Sequence, residues 1–259
     1  MKIYLLGLVA IWIYETLWFF LAWARGRNDM ADIAWGFGFV LVSGFSLAMG
    51  DSNSARGLLL SGLVLVWGVR LALHIHARNA KRGEDPRYRQ WREAWGRWFL
   101  LRSFFQIYLL QGTLLVVVAS PVIFANTSSD TPLGLLDFLG LAIWLVGFLF
   151  ETVGDWQLLK FMRNPANKGK LMTTGLWRFT RHPNYFGEVL LWWGVWLIVC
   201  AIQNGWMTLM GPLTITFLIL KVSGIPMLEQ HYAGRADFEV YKRRTSVFWP
   251  LPPCERSES

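Results

Sequence analysis

Cysteine is almost missing from this sequence: Cys200 and Cys254 are the two among 259 residues. Two cysteines cannot staple a disulfide scaffold, and with no cysteine cluster there is no thiolate zinc site. Four histidines, His74, His76, His182 and His231, are too few for the multi-histidine di-iron centre of membrane desaturases and hydroxylases. Charge is scarce as well. Charged residues make up 16% of the chain and hydrophobic residues 54%, whereas a soluble domain averages about 25% charged. Mean hydropathy is +0.35. An ordinary soluble fold is excluded, and so is disorder, because a chain this apolar collapses or inserts. There is no internal repeat or low-complexity tract. What is abundant is aromatic: 16 Trp, 18 Phe and 7 Tyr, a load suited to lipid contact and interfacial belts.

Crossing a bilayer takes about 20 mostly apolar residues at 1.5 Å each. Seven stretches qualify: Ile3–Ala24, Ile33–Met49, Gly57–Ile75, Phe104–Phe124, Leu133–Leu159, Tyr185–Ile202 and Trp206–Gly224. The expected fold is therefore all-α, a polytopic seven-transmembrane helix bundle forming one integral membrane domain over residues 1–259. In this arrangement loops one, three and five, with the tail, carry 22 of the 25 Lys and Arg residues. Short basic loops stay cytoplasmic, so the amino terminus is expected outside and the carboxyl terminus inside. The net charge of +8 has two readings, this bias alone or an anionic ligand on the cytoplasmic face. Glu15 interrupts the first segment, which is too long for a cleaved signal peptide, and Cys254 does not sit in a prenylation box. The stretch Pro86–Arg97 mixes Arg with Trp and Tyr and reads as a helix lying in the headgroup layer. Basic loops on a membrane protein are poorly explained by nucleic acid, and none is expected as a partner.

Ionisable groups within spans are costly and mark candidate sites. Glu15 is mid-span one and Asp32 opens span two. Arg70 and His74 lie one turn apart on span three, as do Glu151 and Asp155 on span five. Arg70 can instead snorkel, and the acidic pair can be helix-end polarity or part of a buried ion pair. His74 and His76, two residues apart, point to different helical faces, so no metal is expected. The densest site is Gly175–Glu188 (GLWRFTRHPNYFGE). Pro183 fits the first turn of span six, where Asn184, Tyr185 and Glu188 project, and a helix start beside Arg178 and Arg181 favours an anion. Glu229, His231, Tyr241, Arg243 and Arg244 precede an aromatic run, Phe248-Trp249-Pro250, that is expected to fold back.

At Arg181-His182-Pro183-Asn184-Tyr185-Phe186-Gly187-Glu188 the chain resembles the steroid 5-alpha-reductase superfamily, in its bacterial branch of small membrane reductases. The likeness extends over Asp29–Gly36, Val69–Tyr88, Asp155–Asn164, Gly224–Glu229 and Tyr241–Pro250. Isoprenylcysteine and phospholipid methyltransferases share the R-H-P-x-Y core, while Asn184 followed by Glu188 is more reductase-like. The resemblance implies an integral protein of the bacterial inner membrane in which NADPH, held from the cytoplasmic side, reduces a carbon–carbon double bond conjugated to a ketone. A 3-oxo-delta-4 steroid is the family's substrate class. It implies cofactor contacts at Arg70, His74, Arg82, Asp155, Arg163, Arg178, Arg181, His182, Asn184, Tyr185, Glu188, Glu229, Tyr241 and Arg243, most of them within residues 130–253. Animal members polarise the ketone with a Gln-Glu pair and a Tyr; here Trp67 stands at the Tyr position and Asp32 where the Glu is sought.

The chemistry asks for a positioned acid where negative charge develops on the ketone oxygen. Glu15 or Asp32, held protonated by burial, is the candidate, with His74 as a further catalytic candidate. Trp35, Trp67 and Trp192 are expected to line a dry substrate cavity, although Trp35 and Trp192 suit a lipid-facing belt equally. No G-x-G-x-x-G strand–helix unit is present, so the dinucleotide site is not a Rossmann site. The expected partners are the bilayer and a lipophilic enone, and the expected state is a monomer. The alternatives are an S-adenosylmethionine-dependent membrane methyltransferase and a transporter or partner subunit.

Overall fold

The computed structural model describes residues 2–50, 54–80, 83–128 and 132–254, and these are helical with no strand. In chain order the α-helices are α1 (Lys2–Arg25), α2 (Met30–Met49), α3 (Ala55–Asn79), α4 (Pro86–Trp95), α5 (Phe99–Arg102), α6 (Leu110–Val118), α7 (Ser120–Asn126), α8 (Leu135–Arg163), α9 (Pro183–Val199), α10 (Met210–Phe217), α11 (Ile225–His231) and α12 (Ala236–Arg244). Two π-helical turns, Ser103–Leu109 and Leu218–Val222, join α5 to α6 and prolong α10.

Among the described residues six helical runs are long and apolar enough to cross a membrane: α1, α2, α3, Pro86–Val118, α8 and Gly205–His231. Seven were expected. The stretch expected as the sixth span is α9, whose 17 residues reach about 26 Å, short of a hydrocarbon core of about 30 Å. The fourth run starts 18 residues earlier than its apolar pattern suggests. The reason is the cap at its start: the Asp85 carboxylate accepts from the Arg87 N–H at 2.9 Å and Pro86 occupies the first turn, a strong helix start. Burial alone would raise the Asp85 pKa, but the hydrogen bonds and charge of Arg87 hold it below the usual aspartate value.

The chain divides into two compact units, Met1–Asp137 with Ile198–Gly211, and Phe138–Leu197 with Pro212–Ser259. In the first unit α2 lies directly on α3. A Cβ on Gly36 would come within 2.7 Å of the Gly68 carbonyl oxygen, and one on Gly68 within 2.6 Å of the Gly36 carbonyl oxygen. Backbone approach of this kind replaces the hydrophobic effect where lipid is the solvent. Polar side chains close both ends of this packing. At one end Asn126 donates to the Ser43 carbonyl (3.1 Å), Ser46 Oγ (2.9 Å) and Ser61 Oγ (3.2 Å). Nearby, Arg56 and Asp137, both 2% exposed, form a two-pronged ion pair at 2.6 and 2.8 Å. At the other end Arg27 binds Asp29, Asn79 donates to Asp29, and the Asn28 N–H donates to Glu84.

In the second unit α8 and α9 meet along glycines seven residues apart: Gly140, Gly147 and Gly154 on α8, Gly187 and Gly194 on α9. Seven residues are close to two turns, so each set shares one helix face. A Cβ on Gly147 would stand 2.7 Å from the Gly187 carbonyl oxygen, and one on Gly194 2.7 Å from the Gly140 carbonyl oxygen. α12 carries Asp237 and Glu239 in its first turn and Lys242, Arg243 and Arg244 in its last, matching the helix dipole at both ends.

The buried Arg56–Asp137 pair gives a direct test. Asp137→Leu leaves a guanidinium buried beside a hydrocarbon side chain, and is expected to lower stability by about 3–5 kcal/mol. Adding Arg56→Met is expected to recover most of that loss, because no charge is then stranded. Thermal unfolding of detergent-purified variants reads both, and equal destabilisation in the single and double variants would contradict this account of the pair.

Candidate functional site

The densest polar cluster of the second unit forms where the chain enters α9. Upstream, the turn Gly175–Arg178 is pinned to α8. The Leu176 N–H donates to Gln157 Oε1 at 2.9 Å and Trp177 Nε1 donates to the Gly154 carbonyl at 3.1 Å. Gly175 has φ +64°, and a Cβ there would strike the Gln157 amide at 2.6 Å, so only glycine fits this approach. The next residues run beside the tail: Thr180 and Ser246 form a parallel bridge, the Arg181 N–H donates to the Ser246 carbonyl (2.9 Å), and the Leu251 N–H donates to the Phe179 carbonyl (3.0 Å). Phe248 and Trp249 then pack edge-on against Phe186 of α9. The tail folds back as its aromatic run suggests.

The Arg181 side chain, 9% exposed, is committed inside the protein. Its Nε donates to Glu229 Oε1 at 2.8 Å, and one terminal nitrogen donates to the carbonyls of Thr245 (2.7 Å) and Lys242 (3.2 Å). Those carbonyls lie at the end of α12, where backbone acceptors lack helical partners. Glu229 also meets His182 Nε2 at 3.0 Å, and the Tyr241 hydroxyl donates to the Trp177 carbonyl. Arg181, Glu229 and Tyr241 thus tie α9, α11 and α12 together. All three were expected as cofactor contacts, and in the structure each makes internal bonds.

His182 behaves differently. Burial pushes its pKa below the ordinary histidine value, and the hydrogen bond to Glu229 offsets this only partly. The neutral ring, stacked on Tyr185 at 5.5 Å, donates from Nε2 to the Glu229 carboxylate, which fixes the tautomer. Nδ1 then points a lone pair into a buried setting with no donor among the described residues. Two residues on, Asn184 donates from Nδ2 to Asp155 Oδ1 at 3.1 Å, and its own Oδ1 is likewise buried without a donor. Gly154 makes this possible: a Cβ there would come within 3.2 Å of the Asn184 nitrogen and the Pro183 ring. Buried polar atoms are nearly always satisfied. Two buried acceptors without partners fit a molecule that brings N–H or O–H donors, such as a carboxamide or a sugar hydroxyl.

The other expected residues fall as follows. In the second unit Asp155 is buried, Tyr185 and Glu188 are half-buried on the first turns of α9, and Arg163, Arg178 and Arg243 are exposed. In the first unit Arg70 and His74 are half-buried on α3, while Arg82 lies outside the described residues. Glu15 is wholly buried and neither carboxyl oxygen has a hydrogen-bond partner among the described residues. Asp32 accepts from Arg87 at 2.8 Å and from the Tyr88 hydroxyl at 2.7 Å. Trp67 and Trp192 are 1% and 0% exposed. Both, expected as substrate-lining rings, are packed in the interior. Trp35 stands edge-on to Phe39 at 4.9 Å and is only half-buried.

Sequence reasoning missed Gln157, Trp177 and Thr245, whose roles arise from partners far along the chain. The glycine spacing on α8 and α9 was the one signal that could have announced the close packing beneath the site.

A family model described as "Protein of unknown function (DUF1295)" matches residues 18–245. The chain belongs to the DUF1295 family. That family lies within the steroid 5-alpha-reductase-like superfamily, in agreement with the resemblance carried by the R-H-P-N-Y block. Among relatives of this DUF1295 chain, an uncharacterized protein of Schizosaccharomyces pombe is 26% identical over 223 residues, covering 75% of this chain and 64% of its own length. The 3-oxo-5-alpha-steroid 4-dehydrogenase 1 of Bos taurus is 40% identical over 114 residues, 43% of this chain and 40% of its own. A "Probable O-methyltransferase ustE" of Ustilaginoidea virens is 30% identical over 112 residues, 42% of this chain and 37% of its own. The DUF1295 chain therefore spans less than two thirds of each of these relatives. No solved structure matches it.

The neutral His182 sets the sign of a pH effect. With its folded pKa below the unfolded value, the unfolded chain takes up the proton first. Stability is then full above the unfolded pKa of about 6.5 and falls as pH drops below it. The apparent melting temperature of the purified protein is expected to show this decline, and His182→Asn to flatten it. A decline of the same size in the variant would contradict the assignment.

Proposed function

We propose that this chain is an NADPH-dependent membrane reductase acting on the carbon–carbon double bond of a lipophilic enone, with a 3-oxo-delta-4 steroid as the model substrate. The observation that carries the reading is the pair of buried acceptors without donors, His182 Nδ1 and Asn184 Oδ1, in a chain of this superfamily. A carboxamide and a ribose hydroxyl are donors of the required kind. In this reading Asp155 orients the Asn184 amide, and Tyr185 and Glu188 complete the same helix turns. The exposed Arg163, Arg178 and Arg243 offset phosphate charge, while Arg181, Glu229 and Tyr241 hold the helices in place. NADPH, when bound, supplies the hydride.

The remaining work belongs to an acid. A hydride delivered to the β carbon of an enone leaves negative charge on the ketone oxygen, and stabilising that charge is usually the largest catalytic term. Glu15 is proposed for this role over Asp32, which is already engaged by Arg87. A buried carboxyl with neither oxygen bonded is neutral, because the bare charge would cost far more there, and so has a proton to donate. The proposal keeps seven crossings with α9 as the sixth, the carboxyl terminus cytoplasmic, residence in a bacterial inner membrane, and a monomer. The clustering of basic residues in alternate loops supports this orientation.

The alignment with the O-methyltransferase relative favours one rival, a methyltransferase using S-adenosylmethionine. Thermal-shift titration of the purified chain with NADPH, NADH and S-adenosylmethionine separates the two. NADPH is expected to stabilise it. Asn184→Ala and Asp155→Asn are each expected to weaken NADPH binding by about tenfold, the worth of one charge-assisted hydrogen bond. Glu15→Gln is expected to keep the NADPH shift and lose about 100-fold or more in enone turnover. A shift with S-adenosylmethionine and none with NADPH would overturn the reading.

A further inference from the structure

The helical run from Pro86 to Val118 holds arginines of two kinds. Arg87 and Arg92 are neutralised inside the first unit, Arg87 by Asp32 and Asp85 and Arg92 by Glu84. Arg97 and Arg102 are exposed and pair with no acid among the described residues, not even Glu93 four residues before Arg97. Each lies instead over an indole. The Arg97 guanidinium carbon is 5.3 Å from the Trp98 ring centre, and that of Arg102 is 5.8 Å from the Trp95 ring. Trp95 stacks on Trp91 at 5.6 Å with the planes 5° apart. Both indoles pack onto a buried cluster of Ala22, Met30, Ala31, Tyr88, Ile107 and Tyr108. Arg102 is therefore carried on a ring that is itself held fast, while Arg97 lies over Trp98, an indole that is 51% exposed at the surface.

Depth along the helix decides what they meet. α4 ends at Gly96, whose φ is +47°, and the 20 residues from Phe99 to Val118 are about 30 Å long, the thickness of a hydrocarbon core. Counting the 20 residues that fill the core back from Val118 reaches Phe99. Arg97 and Arg102 thus straddle the boundary between hydrocarbon and headgroups. Leu100, Leu101 and Phe105 beside them are 42%, 53% and 54% exposed, surface that only acyl chains would cover well. Cations over indoles with bare aliphatic and aromatic surface alongside match a molecule that is anionic at one end and hydrocarbon at the other.

We propose that Arg97 and Arg102, with Trp95 and Trp98, form a docking site for the phosphate headgroup of an anionic phospholipid. The inference is independent of the reductase reading, since it uses no residue assigned to cofactor or substrate. The test uses the full chain in phosphatidylcholine nanodiscs titrated with phosphatidylglycerol, with native mass spectrometry counting the lipid retained after detergent release. Wild type is expected to retain phosphatidylglycerol over phosphatidylcholine. Arg97→Gln/Arg102→Gln is expected to lose about thirtyfold of that preference, the effect of removing two cations near the surface. Arg97→Lys/Arg102→Lys is expected to keep most of it. Both positions are exposed, and melting temperature in phosphatidylcholine alone verifies that the variants fold. Equal preference in wild type and the Gln variant would overturn the proposal, as would retention that inorganic phosphate competes away, since that is the signature of a free-anion site.

Discussion

The second unit's candidate site depends on one guanidinium. Arg181 joins three helices by a single planar group: its Nε neutralises Glu229 on α11, and its terminal nitrogen satisfies the last carbonyls of α12. Its own N–H holds the tail through Ser246. A lysine could supply the charge but not the fork that reaches all of these acceptors at once. With Glu229 fixed in this way, the carboxylate is placed to accept from His182, and that bond sets which imidazole nitrogen is left as an acceptor. A structural ion pair thereby determines the chemistry offered at the start of α9.

Glycines make the same site possible from beneath. Gly147 and Gly187 bring α8 and α9 into backbone contact, and Gly154 lets Pro183 and Asn184 lie against α8 one residue from Asp155. The Asp155–Asn184 bond is a consequence of this approach. The first unit uses the same device where Gly36 meets Gly68, and closes it with buried polar groups at both ends. In each unit the apolar faces are left for lipid, and specificity comes from close backbone packing and from buried polar side chains such as Asn126 and Arg181 that bond across helices.

Much of the helical framework was legible in the sequence because apolar runs are long and their ends are marked by charge. α1, α2, α3 and α8 begin and end within about four residues of the apolar stretches, an ordinary boundary error. The start of the fourth run was legible as a separate helix over Pro86–Arg97, and α4 does end there, at Gly96 with φ +47°. That a 3-10 turn at Gly96–Trp98 leads it directly into the span was not legible. The end of the chain was harder still, because a π-turn at Leu218–Val222 and the turn at Gly224 interrupt what composition presents as one span. At the site, Asp155 and Asn184 were both picked out, the first from an acidic turn and the second from the R-H-P-N-Y block. That Arg181 would serve α12 could not be read, since its partners lie 48 to 64 residues away and nothing local announces them.

The reductase reading makes a claim about where a hydrogen atom goes. The direct measurement is to incubate the purified chain with NADPH deuterated at the transferable C4 position and a 3-oxo-delta-4 steroid, and to locate the label in the product by mass spectrometry and NMR. The account requires deuterium at the former β carbon and solvent hydrogen at the α carbon. A product with no deuterium at the β carbon, or transfer of a labelled methyl group from S-adenosylmethionine under matched conditions, would contradict it.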